Sequence, residues 1–229
     1  MRIAIIPARG GSKRIPRKNI KPFAGRPMLA YAIGAARASG LFEHIVVSTD
    51  DAEIAAAAVA LGAEVPFMRP AELSDDHTAT IPVLQHAIGA CRALGWDADQ
   101  VCCIYPGVPM LQAADLGAAL ALLEDGAADY AFTVAAFPAA IQRALRRSPQ
   151  GSMAPFNPEH VLTRTQDLEP AYYDAGQFYW GRVAAWLGGV SPHHNGRGLV
   201  IPEWRAVDID TPDDWRRAEL LYQALHAPA

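Results

Sequence analysis

Short apolar runs alternate with helix-like stretches through the first 135 residues. Ile3-Ala4-Ile5-Ile6 is apolar at every position, the pattern of a strand buried on both faces. It stops at Pro7 and opens into a loop. Pro27 to Ser39 has helical composition, with Pro27 suited to the first helical position and Gly40 to the stop. His44–Thr49 predicts a second strand. Asp50 stands where it would cap an Ala-rich helix over Ala52–Leu61, ended by Gly62. Ala63–Phe67 reads as a short third strand, and Asp75–Thr80 leads into a helix running to about Leu94. Gln100–Tyr105 is a fourth strand, Pro106–Pro109 a stiff turn, Ala113–Glu124 a helix and Asp129–Val134 a fifth strand. Strand alternating with helix predicts the α/β class, a doubly wound and mostly parallel (mixed) sheet with right-handed crossovers.

The rhythm breaks between Pro138 and Pro170. That segment has no helical period, but it has Pro, Asn, Gln and Arg143, Arg146, Arg147 and Arg164. It predicts a projecting β-hairpin or arm. Gln177–Trp180 resumes a strand, Arg182–Leu187 is a short helix, and Leu199–Ile201 and Ala206–Asp210 are further strands. Thr211-Pro212-Asp213-Asp214 opens the closing helix, with Thr at the N-cap, Pro at the first position and acids in the first turn.

Composition adds bounds. A chain of 229 residues that is 51% hydrophobic can build one domain with an ample core. The expectation is a single domain over 1–229, with 138–172 as an inserted arm. A net charge of −4 argues against nucleic acid as partner. Cys91, Cys102 and Cys103 make no metal pattern and read as reduced core residues, which points to a cytoplasmic compartment. No 18-residue apolar run exists, so no membrane segment is expected.

The charge is unevenly placed. Nine of the twenty Lys and Arg lie before Glu43, the first acid. All three lysines, Lys13, Lys18 and Lys21, fall in the loop after the first strand, beside Gly10-Gly11-Ser12. Tandem glycine lets backbone amides approach an anion, and clustered ammonium groups suit a polyphosphate. The spacing fits neither a Walker A loop nor a dinucleotide fingerprint. At the other end stands Asp208-Ile209-Asp210. On a strand, i and i+2 share a face about 7 Å apart, and two carboxylates there suit a hard divalent cation. In an open α/β sheet both sites lie beyond the carboxyl ends of the strands. Cations for phosphate oxygens beside carboxylates for a bridging metal is the arrangement of nucleotidyl transfer.

Ala8-Arg9-Gly10-Gly11-Ser12-Lys13, continued by Lys18-Asn19-Ile20, resembles the signature of cytidylyltransferases that activate nine-carbon acidic sugars, the CMP-sialic acid synthetase family. Ser48-Thr49-Asp50, Arg69–Ser74 and Asp208–Pro212 match as well, so the resemblance spans nearly the whole chain. Tyr105-Pro106 and Asp174–Trp180 look like its pseudaminic acid branch. Gly107 and Val108 lack the hydroxyl often seen in that turn. The resemblance implies a sheet of the nucleotide-diphospho-sugar transferase type, and CTP and pseudaminate as substrates. The anomeric hydroxyl would attack the α-phosphate to give CMP-pseudaminate and diphosphate. N-acetylneuraminate or legionaminate are the alternatives within the family, and a non-catalytic nucleotide-binding module is the alternative outside it.

Carried onto this chain, the resemblance puts Arg9, Ser12, Lys13 and Lys21 on the triphosphate with Asn19 beside it, and Ala8, Gly10 and Gly11 in the cradling backbone. Asp208 and Asp210 would ligate Mg²⁺. Arg9, Lys13, Lys21 and Asp210 form the charged catalytic set, and no general base stands out. His77 and the His193-His194 pair read as surface residues. Arg164 and Gln166 would meet the sugar carboxylate, with Gln177 and Tyr179 lining the same pocket. The 138–172 arm is similar to the family's dimerisation element. Met153, Phe156, Val161 and Leu162 on it would be covered by a second copy, so a homodimer is predicted.

Overall fold

The computed structural model describes residues 1–226. In chain order the strands are β1 (Arg2–Pro7), β2 (Pro22–Phe23), β3 (Arg26–Pro27), β4 (His44–Ser48), β5 (Gln100–Ile104), β6 (Tyr130–Ala136), β7 (Leu145–Arg147), β8 (Met153–Pro155), β9 (Tyr172–Arg182) and β10 (Gly196–Val200). The helices are α1 (Leu29–Ser39), α2 (Ala52–Ala60), α3 (Thr80–Ala93), α4 (Ala113–Glu124), α5 (Val183–Leu187) and α6 (Pro212–His226). Six strands form the main sheet in the order β10-β6-β9-β5-β1-β4. β1 runs parallel to β4 and β5, and β10 parallel to β6. β9 lies antiparallel between β5 and β6, so the sheet is mixed.

The all-apolar run of β1 serves both faces. Ala4 and Ile6 pack with Leu29, Ile33, Leu116 and Trp180 on one side. Ile3 and Ile5 pack with Val46, Leu84, Ile88 and Trp186 on the other. A third cluster lies outside the sheet layers. It joins Ile15 and Phe23 of the opening loop to Val207, Ile209 and Trp215, so the basic loop and the C-terminal segment share one small core.

Several predicted elements shift. Pro27 does not start α1, because it pairs with Pro22 across a turn at Ala24 and Gly25, which have φ of 44° and 83°. Asp50 does not cap α2. Asp51 does, its carboxylate accepting from the amides of Glu53 and Ile54. Ala63–Phe67 reaches only a single parallel bridge, Glu64 to Val46. Pro66 has no N–H with which to continue a ladder.

Ala206–Asp210 is not a strand either. It is an extended strap, and two of its backbone groups are met by side chains. Lys18 donates to the Ile209 carbonyl at 2.7 Å, and the Asp210 amide donates to Asp214 at 3.2 Å. Residue alternation survives without the ladder, with Val207 and Ile209 buried and Asp208 and Asp210 facing outward. Thr211 caps α6 as its sequence predicts. Its hydroxyl accepts from the Asp214 amide at 3.2 Å, while Asp214 accepts from the Thr211 amide at 2.9 Å. Segment 138–172 contains the two-stranded β7–β8 hairpin and single helical turns at 141–143, 158–160 and 165–167.

Candidate active site

The loop after β1 is held from three sides. The buried Ala8 donates its amide to the Ser48 carbonyl at 2.9 Å, carrying the course of β1 one residue further along β4. The Gly10 amide donates to Asp50 at 2.9 Å. A Cβ on Gly10 would sit 2.8 Å from the Asp51 carboxylate, so the close approach requires glycine. The space around Gly11 is open. Asn19 is buried and donates to the Arg9 carbonyl at 2.9 Å, and its Oδ1 has no partner among the described residues. The sequence placed Asn19 beside the phosphates. In the fold it braces the backbone of Arg9 and also lines the cavity below.

That cavity has a volume of about 420 Å³. Arg9, Ser12, Lys13, Arg14 and Lys18 line it from the loop, Asp76 and Pro106 from the opposite side, and Asp210 from the strap. Two carboxylates meet four cations there. Asp76 pairs with Arg9 at 2.6 Å and also with Lys13. Asp210 pairs with Arg14 at 2.8 Å and lies 3.6 Å from Lys18. Lys21 is elsewhere. Its ammonium stands 4.4 Å above the Trp215 ring. Arg14 and Lys18 take the wall positions that the sequence reading assigned to Lys21. Both belong to the same basic loop, and only its fold decides which cations turn inward. Asp76 carried no motif signal.

Asp208 and Asp210 sit together on the strap, as their spacing implies. Desolvation first, and then the charge of Asp210, push the Asp208 carboxyl above its usual range. Two carboxylates two residues apart on one extended segment are a fitting donor pair for a hard divalent cation, which would offset the charge that Asp210 places beside Asp208. Among the described residues no cluster of three or more His, Cys, Asp or Glu converges as a ready-made metal cage. A metal here would complete its shell with phosphate oxygens and water.

The sugar-site candidates fall in three places. Tyr179 lines a second cavity of about 200 Å³ with Thr80, Tyr105 and His193. It is buried and donates to Asp174 at 2.7 Å, while His193 Nε2 lies 2.6 Å from the same carboxylate oxygen. His193 is a surface loop residue, 61% exposed, whose imidazole is nonetheless tied to Asp174. Tyr105 shares a 2.9 Å hydrogen bond with Thr80, and burial pushes its hydroxyl up to about 12, so it stays protonated. The two cavities adjoin along the chain at Tyr105-Pro106 and along the 76–80 segment. Gln177 is buried and donates to the Arg205 carbonyl at 2.7 Å, so it holds the base of the strap. Arg164 is exposed and pairs with Asp167 at 2.8 Å. Gln166 lines a shallow groove with Phe137 and Leu168. Within one chain, neither Arg164 nor Gln166 lines the two cavities.

A family model described as cytidylyltransferase matches residues 3–176. The chain belongs to this cytidylyltransferase family. It is 40% identical to the pseudaminic acid cytidylyltransferase of Campylobacter jejuni subsp. jejuni serotype O:23/36, over 99% of this chain and 98% of that protein. It is 31% identical to the CMP-N,N'-diacetyllegionaminic acid synthase of Legionella pneumophila, over 96% of each. The fold is similar to a solved CMP:2-keto-3-deoxy-manno-octonic acid synthetase complexed with CTP. The TM-score is 0.72, at 19% identity over 98% of this cytidylyltransferase chain and 99% of the other. No described helix is long and apolar enough to cross a membrane.

Proposed function

We propose that the chain is a CTP:pseudaminate cytidylyltransferase, making CMP-pseudaminate and diphosphate. The observation that carries this reading is the group of Arg9, Lys13, Arg14 and Lys18 lining one cavity together with Asp210, in a chain 40% identical along its length to pseudaminic acid cytidylyltransferases. The cations hold the triphosphate and take up charge that grows on the leaving diphosphate. The anomeric oxygen of the sugar forms a bond to the α-phosphorus as the bond to the bridging oxygen breaks. The departing group is diphosphate, and the hydroxyl proton passes to solvent or a phosphate oxygen. Asp208 and Asp210 would hold Mg²⁺, which when bound supplies further positive charge beside the phosphates.

The sugar belongs in the cavity of Tyr179, Tyr105 and His193, which adjoins the phosphate cavity along the chain. Arg164 and Gln166 serve it from a second copy of the chain. That reading makes 1–229 one nucleotidyltransferase domain acting as a homodimer in the cytoplasm, with 138–172 as the arm. Exposed Leu145, Met153, Phe156 and Leu162 on that segment support it, since a partner would cover them.

Diphosphate release with CTP, Mg²⁺ and a panel of pseudaminate, legionaminate and N-acetylneuraminate tests the proposal. Release with pseudaminate foremost is the expected result. Release with N-acetylneuraminate alone would move the substrate, and release with none would overturn the enzyme.

A further inference from the structure

Of the two carboxylates on the wall of the 420 Å³ cavity, Asp210 belongs to the strap. Asp76 comes from the segment between the 71–73 helical turn and α3, and the chemistry above gives it no task. Its position is nonetheless specific. One oxygen accepts from Arg9 at 2.6 Å, and the other pairs with Lys13. These are the cations that a polyphosphate would use. Arg9 also donates to the Asp75 carbonyl at 2.8 Å, so the segment is fastened to the basic loop at two points.

We infer that Asp76 is an internal competitor of the polyphosphate, a side-chain anion that leaves Arg9 and Lys13 when phosphate oxygens take them. This rests on reading the cavity as the triphosphate site. The local geometry permits the exchange. Asp75 accepts from the amides of His77 and Thr78 and from the Thr78 hydroxyl, at 2.9, 2.6 and 2.7 Å. The turn is thus supported by Asp75 and keeps its shape when the Asp76 side chain rotates away. Lys13 is 81% exposed and can follow either anion. The Asp76 carboxyl is held below its usual range, chiefly by Lys13 and then by Arg9, so it remains an anion at neutral pH.

The consequence is a charge threshold. A carboxylate brings one negative charge on a tethered side chain, whereas a triphosphate brings several and displaces it. An anion of single charge gains little over the carboxylate already in place. Asp76 therefore lowers the affinity of every ligand that takes both cations by a similar factor, and a singly charged anion, whose own attraction is small, is left with little net binding.

Calorimetric titration at low ionic strength, without sugar, distinguishes this from a supporting role. Removing the charge in Asp76→Asn should tighten both CTP and inorganic triphosphate about three- to tenfold, the size of two exposed ion pairs lost as competitors. Asp76→Glu should keep the wild-type affinity. Unchanged affinity in Asp76→Asn would overturn the inference, and so would weaker affinity, which would make Asp76 a positioning residue for Lys13. Inorganic triphosphate separates this from the function. A wild-type chain that binds it but not CTP refutes the cytidylyltransferase reading and leaves the comparison intact. A chain that binds neither overturns both.

Discussion

The Lys18 ammonium donates a hydrogen bond to the carbonyl of Ile209 at 2.7 Å, joining residues 191 positions apart. The basic loop and the acidic strap are therefore parts of one structure. Lys18 does two jobs, closing the cavity wall and satisfying a backbone acceptor that no ladder reaches. Lys18→Met keeps the stem and removes the charge. It should cost about 1.5–3 kcal/mol in urea unfolding, the scale of a hydrogen bond from a charged group, and raise the KM for CTP. An unfolding midpoint equal to that of the wild type would show that the strap is held without it.

Lys13 is the most exposed of the cations on the cavity wall that pair with a carboxylate there. In the proposed reaction it would stabilise charge on the phosphates, and at 81% exposed it contributes little to packing. Lys13→Ala should lower kcat about 10²-fold, typical for loss of one oriented charge donor, with little change in stability. Steady-state kinetics decide the matter, and an unchanged kcat would put Lys13 outside the reaction.

Asp210 pairs with Arg14 and Lys18. Asp210→Asn keeps the shape and removes the charge. The magnesium concentration for half-maximal rate should rise severalfold, read from a titration at saturating CTP. A superimposable titration would count against metal on this strap.

Arg205 and Asp115 form a buried ion pair, with side chains 6% and 13% exposed. Arg205 also accepts Gln177 at its carbonyl, which fixes where the strap begins. Asp115→Ala leaves a buried guanidinium without its counter-ion and should cost about 3–5 kcal/mol. Asp115→Leu with Arg205→Met should recover much of that, as measured by denaturant melts. Equal losses in single and double variants would mean that packing rather than charge governs the site.

Asp51 is held below the ordinary aspartate range, first by its hydrogen bond from Arg17 and further by the α2 amides it caps. A carboxyl lowered in the folded state stabilises the fold above its ordinary pKa. That stability is lost as pH falls from about 4 through the folded value. Asp51→Asn should lower stability at pH 7 and flatten the acid limb of the unfolding curve. Parallel pH profiles for the two proteins would exclude Asp51 from acid sensitivity.

Much of this was legible along the chain because it depends on local chemistry. The β1 run, the span of α4 and the Thr211 cap follow from period, propensity and capping. The basic loop announces itself through Gly10-Gly11 and its lysines. Neighbouring residues of like type were harder. Asp50 and Asp51 both suit a cap, and only the meeting of β1 with β4 gives one to the Gly10 amide and the other to α2. His193 is the surface loop residue its sequence suggests, but its contact with Asp174 of β9 has no local signal. Asp76 has no motif at all.

The sequence by itself determined the class of fold, the family, and the two charged segments that face one another. The tertiary structure decided which side chains face the cavity. Arg14 and Lys18 line it while Lys21 rests on Trp215, because the shared core of Ile15, Phe23, Val207, Ile209 and Trp215 sets how the loop and strap dock. It also decided that Asp208 and Asp210 alternate outward on a strap rather than a strand. Burial of Val207 and Ile209 needs only an extended backbone, and in place of a ladder Lys18, far back in the chain, bonds the Ile209 carbonyl while the nearby Asp214 takes the Asp210 amide.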